Sequence, residues 1–208
     1  MSLSFDGMDI KKICYTRTNL TKLMYNGTEI WTNQITVTYI YGGVSTEVLY
    51  NKGEVITDYV PTDVSGRTFV GWTTSSTGTT AETITAGESN VTLLGIGRTT
   101  LTSAVRGAGG VSESCSVTAP SGSLGFISAY ATAYTETRYD GTISSATISL
   151  TGAQSRSSTS DIAVSVSTSA TYNPPVTVVA ATGSASSPSD DFVYTRNVDL
   201  SAVLIYVG

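Results

Sequence analysis

The run Gln34–Tyr41 repeats with a period of two. Ile35, Val37, Tyr39 and Tyr41 hold the odd positions, Thr36 and Thr38 stand between them, and Gly42-Gly43 follows. Successive side chains of a strand point to opposite faces, so this period predicts a strand that buries its odd positions and turns at the glycines. A second signal precedes it. Lys22–Tyr25 and Thr28–Trp31 flank Asn26-Gly27, and Asn-Gly between two such runs is a strong hairpin signature because a type I′ turn needs positive φ at both central residues. The expected register sets Tyr25 against Thr28, Met24 against Glu29, Leu23 against Ile30 and Lys22 against Trp31, with Leu23 and Ile30 sharing the buried face. Shorter apolar pulses around Asp6-Gly7, at Val48–Tyr50 and Glu54–Ile56, across Gly66–Thr73 and at Asn90–Leu94 predict further strands.

The second half of the chain repeats the theme. Ser114–Ala119, Leu124–Thr137, Thr142–Leu150, Ile162–Val166, Val176–Ala181 and Asp191–Val207 are separated by turn signals such as Asp140-Gly141 and Pro174-Pro175. Strands at roughly ten-residue spacing, with no helical period, predict a β-sandwich. Gly107, Gly109 and Gly110 suggest a connector. The expected organisation is all-β: an N-terminal hairpin segment at 1–33, a small module at 34–97, a linker at 98–110 and a sandwich at 111–208.

Composition narrows the chemistry. Charged residues make up 13% of the 208 and the net charge is −5, so no basic surface is available to neutralise phosphates and nucleic acid is not an expected partner. There is no histidine, which removes the commonest general base and the commonest zinc ligand. Cys14 and Cys115 are the only cysteines. Their separation excludes a CxxC metal motif and leaves open either one long-range disulfide or two buried thiols. Asp190-Asp191 and the pair Glu82 and Glu88 read as turn chemistry rather than glycosidase carboxylates. No enzymatic activity, catalytic residue, metal or cofactor is expected. No apolar run has the length of a membrane span and the N-terminus lacks a signal-peptide pattern, so neither membrane insertion nor general secretion is expected.

Two stretches resemble known families. The segment from Lys11-Lys12-Ile13 through Leu20-Thr21-Lys22-Leu23-Met24-Tyr25-Asn26-Gly27-Thr28-Glu29-Ile30-Trp31 is similar to N-terminal hairpins of bacteriophage tail, baseplate and other particle proteins. The strand ending in Gly42-Gly43, the Lys52–Val55 turn, Pro61, Gly66-Arg67-Thr68-Phe69-Val70-Gly71-Trp72 and Val91-Thr92-Leu93 resemble the Listeria–Bacteroides repeat, a small β-grasp-like module, over about residues 35–97. Here the closing strand reads Leu94-Gly95-Ile96-Gly97, without the family's aromatic ending, and there is one copy. The resemblance implies that Phe69, Gly71 and Trp72 are the module's core signature.

The resulting expectation is a non-enzymatic virion structural protein of a bacteriophage, tail, baseplate or fibre associated. Its partners would be copies of itself and other virion proteins, with a host-surface glycan as a further candidate. The alternative is a carbohydrate-binding or adhesin module of a Gram-positive surface protein. Candidate surface aromatics are Trp31, set opposite Lys22, and Tyr130 and Tyr134, whose spacing of four on one strand gives them a common face. Each could instead fill core.

Overall fold

The computed structural model of the chain describes residues 3–5, 8–10, 22–25, 28–110, 112–137, 141–149, 162–168, 175–185 and 193–208, with side chains described in 33–107, 109–110, 112–134, 175–184, 195 and 197–208. The elements are β1 (Leu3–Phe5), β2 (Met8–Ile10), β3 (Lys22–Tyr25), β4 (Thr28–Thr32), β5 (Gln34–Tyr41), β6 (Val44–Asn51), β7 (Thr68–Thr73), β8 (Val91–Gly110), β9 (Ser112–Thr118), β10 (Gly125–Thr137), β11 (Gly141–Ser149), β12 (Ile162–Thr168), β13 (Val178–Ala185) and β14 (Val193–Val207). The protein is mainly β, and no helix occurs among the described residues.

The strand order of the large sheet is β11-β10-β14-β8-β5-β6, with β7 paired to β8 off that path; β12-β13-β9 form a second sheet, and β1-β2 and β3-β4 are separate hairpins. The 20-residue β8 is the spine. On one edge its first residues, Val91–Leu94, pair in parallel with β5, and Ile96–Gly110 pair with β14. On the opposite edge β7 pairs at Leu94–Arg98. β5 and β14 therefore meet end to end beside β8, where the Gly42 N–H donates to the Gly208 carbonyl at 3.1 Å and the Gly208 N–H donates to the Gly95 carbonyl at 3.0 Å. The Arg67 guanidinium lies 3.6 Å above the Tyr206 ring centroid at the same junction, a cation–π contact.

Two apolar clusters lie under one continuous face of this sheet. The first gathers Ile35, Val37, Tyr39, Tyr41, Ile56, Trp72, Ala86 and Leu93, so the period-two face of β5 is the buried one. The second gathers Ala129, Ala131 and Ala133 of β10, Val198, Leu200, Ala202 and Leu204 of β14, and Val117, Val179 and Ala181 of the three-stranded sheet. Two sheets pressed face to face across such a layer make a sandwich. Alanines on β10 let the sheets approach closely, and Gly183 of β13 sits where a Cβ would fall 2.7 Å from the Ala133 Cβ.

Three local expectations are corrected. Residues 98–110 are the second half of β8 and not a connector, because they pair with β14. Gly107 and Gly109, at φ 66° and 81°, serve a bulge in which Arg106–Gly110 span the same length as Asn197–Thr195. In the β3–β4 hairpin the register follows expectation at Tyr25/Thr28 and Met24/Glu29, then shifts, so that Leu23 lies opposite Trp31 and Lys22 opposite Thr32. The short strand expected at Glu54–Ile56 is reduced to a single bridge, Val55 to Thr85.

Candidate functional site: the open face of the large sheet

The Gly66–Thr73 segment runs into the core. Trp72 is fully buried, and its Nε1–H donates to the Tyr59 carbonyl at 2.7 Å, which satisfies the one polar group of a buried indole. Rings crowd around it. Tyr39 stacks on Tyr59 at 4.4 Å between centroids and meets Trp72 edge-on at 4.8 Å, while half-buried Phe69 bridges Trp72 at 5.0 Å and Tyr41 at 5.2 Å. Gly71 lies at a bulge, since Phe69 pairs with Gly97 and Gly71 with Ile96. Its φ is 152°, and a Cβ there would stand 2.5 Å from that of Ala81. The Gly-Trp order of the signature thus has a steric cause, and these residues build a core.

Away from the end of the sheet where Ile96 and Ile205 are fully buried, the opposite face of β10, β14 and β8 offers the chemistry. In β10 the odd positions Ala129, Ala131 and Ala133 are buried, and the even ones point outward, Tyr130 being 45% exposed. Pairing of β10 with β14 and of β14 with β8 sets three rows across this face: Tyr130–Ser201–Thr102, Thr132–Asp199–Ala104, and Tyr134–Asn197–Arg106. The structure thus brings Tyr130 and Tyr134 to one face, two rows apart, roughly 13 Å along the strand. Trp31 lies in β4, apart from this sheet, and its side chain is outside the described residues.

The rows carry planar polar groups beside the rings. The Arg106 guanidinium donates to the Asp199 carboxylate as an ion pair, and the Asp199 hydrogen bond holds the guanidinium above its ordinary pKa. Asn197 Oδ1 accepts from the Gly107 N–H at 3.2 Å, so the amide is oriented by the β8 bulge. Tyr130, Arg106, Asp199, Ser201 and Thr102 line a shallow depression of about 440 Å³. An aromatic ring beside a guanidinium–carboxylate pair and hydroxyls can stack on the apolar side of a pyranose and hydrogen-bond its edge. The residues missing from the sequence reading are Arg106, Asp199 and Asn197. Arg106 and Asp199 are 93 positions apart, and only the β8–β14 register joins them.

The other sequence candidates are accounted for structurally. Glu82 accepts from the Thr73 hydroxyl at 2.6 Å, and Glu88 pairs with Lys52 at 2.8 Å. Cys115 is a free thiol whose Sγ lies 3.5 Å from the Ser103 carbonyl; burial pushes its pKa up, which keeps it protonated and unreactive at neutral pH. Cys14, Asp190 and Asp191 lie outside the described residues. Among the described residues no three His, Cys, Asp or Glu side chains gather as a metal site.

No family model matches the chain, and neither does any curated protein or solved structure. Function is therefore argued from this face and from the edges of the sheet that carries it.

Proposed function

We propose that this chain is a non-enzymatic structural protein of a bacteriophage virion, tail, baseplate or fibre associated, which works by packing its sheets against other virion proteins and copies of itself. The observation that carries the reading is the open face of the large sheet. Around Val203 it presents Thr100, Thr102, Ala104, Ser201, Thr132 and Ser128 where a free-standing soluble sheet would carry Lys and Glu, and Arg106 and Asp199 on it neutralise each other. Faces and edges without charged gatekeepers are tolerated when neighbours cover them. The similarity of the Lys11–Trp31 stretch to hairpins of phage particle proteins supports the same reading. The test is proteomic analysis of particles purified from a lysate of the source strain. The chain is expected at stoichiometric copy number with the other structural proteins, and its absence from intact particles would sink the proposal.

A second reading has its own observation. The depression of Tyr130, Arg106 and Asp199 is suited to a sugar, as a carbohydrate-binding module of a Gram-positive surface protein would require, or as a virion protein touching a host glycan would. Glycan-array binding by a soluble monomer, abolished by Tyr130→Ala, would favour the former when the chain is missing from particles and the latter when it is present.

A further inference from the structure

The large sheet ends at β6, beyond which no described strand lies. β6 pairs with β5 in eight consecutive antiparallel pairs, Gln34/Asn51 to Tyr41/Val44, without a register shift. Gly42-Gly43 make a two-residue turn at φ 61° and 81°, the type I′ geometry, in which the flanking residues exchange both backbone hydrogen bonds. Val44, Thr46, Val48 and Tyr50 therefore bond to β5. The N–H and C=O groups of Ser45, Glu47 and Leu49 point away from the sheet, and all three residues are exposed. Three of the usual protections of an edge are missing: the sequence of β6 is VSTEVLYN, with no Lys and no Pro, and no bulge interrupts it; Glu47 is its one charge, and Val44 and Leu49 are 62% and 64% exposed. An unblunted edge of this kind is a template for strand addition.

We propose that β6 is the self-association edge of this protein, adding antiparallel to β6 of a second copy about a two-fold axis at Val48. The occupant follows from the strand itself. Outward-pointing residues must meet outward-pointing residues, so the axis passes through one residue, and the longest overlaps place it at Glu47 or Val48. An axis at Glu47 sets two carboxylates directly opposite each other, which is destabilising. An axis at Val48 instead faces Glu47 with the partner's Leu49 twice, covers the exposed Leu49, and pairs every residue from Thr46 to Tyr50, stopping short of Asn51, whose N–H donates to the Glu54 carboxylate and whose C=O accepts from the Glu54 N–H. β6 carries one charge, at Glu47, so nothing in it selects a basic or acidic foreign strand, whereas this register satisfies it with its own copy. The inference rests on the assembly reading above, but its test is a mass in solution and not the content of particles, so either can fail alone.

The experiment is sedimentation equilibrium of the full chain over a wide concentration range. The parent is expected to associate. Glu47→Pro removes an N–H that β5 does not use, so the β5–β6 hairpin is retained while the mass falls to that of the monomer. Because a proline could disturb the strand, exposed Leu49 supplies a second arm. Leu49→Glu sets carboxylate against the partner's Glu47 and is expected to weaken association several-fold, and Leu49→Lys to strengthen it several-fold. Val48→Cys places two thiols on a non-hydrogen-bonded pair at about 4.5 Å between Cα atoms, within disulfide reach, and is expected to give a covalent dimer on mild oxidation that Leu49→Cys does not give. A monomeric parent, or an oligomer unmoved by both the Leu49 charge pair and Val48→Cys, overturns the edge. In the second case assembly through another surface stands.

Discussion

Tyr39 shows how one residue couples burial to pH. It is 1% exposed, stacked on Tyr59 and edge-on to Tyr50 and Trp72, and its hydroxyl donates to the Ile56 carbonyl at 2.5 Å. Burial, with the hydrogen bond and charge of Tyr50 adding to it, raises its pKa far above the ordinary 10.0; burial raises that of Tyr41 as well. A raised phenol pKa means that the unfolded chain releases its proton first, so stability is fully present below pH 10 and declines as pH rises beyond it. We expect alkaline titration at fixed urea to show this decline starting near pH 10. Tyr39→Phe should flatten it while costing about 1–3 kcal/mol at neutral pH, from the Ile56 carbonyl left unpaired. A decline of identical slope in Tyr39→Phe, read by urea midpoints, would remove Tyr39 from the account.

At the scale of elements, the sandwich depends on how closely β13 approaches β10 and β14. A Cβ at Gly183 would lie 2.7 Å from Ala133 Cβ and 3.0 Å from Val198 Cγ2, and these neighbours belong to a packed layer with little room to yield. Gly183→Val is expected to force the two sheets apart at a cost of about 1–3 kcal/mol, measured by urea denaturation. An equal substitution at exposed Gly43, which has nothing within 4 Å, would strain its left-handed turn instead of the layer. Compensation by Val198→Ala in the Gly183→Val background distinguishes overpacking from backbone strain. Failure of that rescue would locate the cost elsewhere.

For the whole molecule, β8 decides cooperativity. It carries Leu93 of one core and, eight residues on, Leu101 packed against the other, while the Gly42–Gly208 hydrogen bond and the Arg67–Tyr206 contact close the seam beside it. Loss of either core frees an edge of the strand that the other core needs, so the described sheets are expected to unfold in one transition. In a Trp31→Phe, Cys14→Ser chain, Trp72 fluorescence reports one core and labelling of Cys115 the other. Their urea midpoints should coincide within error, and separated midpoints would mean that β8 does not couple the cores. A chain cut near residue 98 severs β8 within its pairing to β14, so such a fragment would leave Ile96 and its neighbours without that partner strand.

Period and turn chemistry, which are local, determined much of this protein from sequence alone. The buried face of β5, the Gly42-Gly43 turn, the mainly-β class and the common face of Tyr130 and Tyr134 all follow from alternation, because a strand's side-chain direction is set by residue number. What only the tertiary structure decided depends on register between distant strands. The glycines at 107–110 have a hinge's composition and become a bulge because β14 pairs across them. The hairpin shift at Leu23 reflects an irregularity that no dipeptide encodes. Arg106, Asn197 and Asp199 join Tyr130 and Tyr134 only because β8, β14 and β10 lie side by side, and β6 is an edge only because nothing else among the described strands pairs with it. Local pattern fixes which way a side chain points; the partner it meets is set by the order and offset of strands.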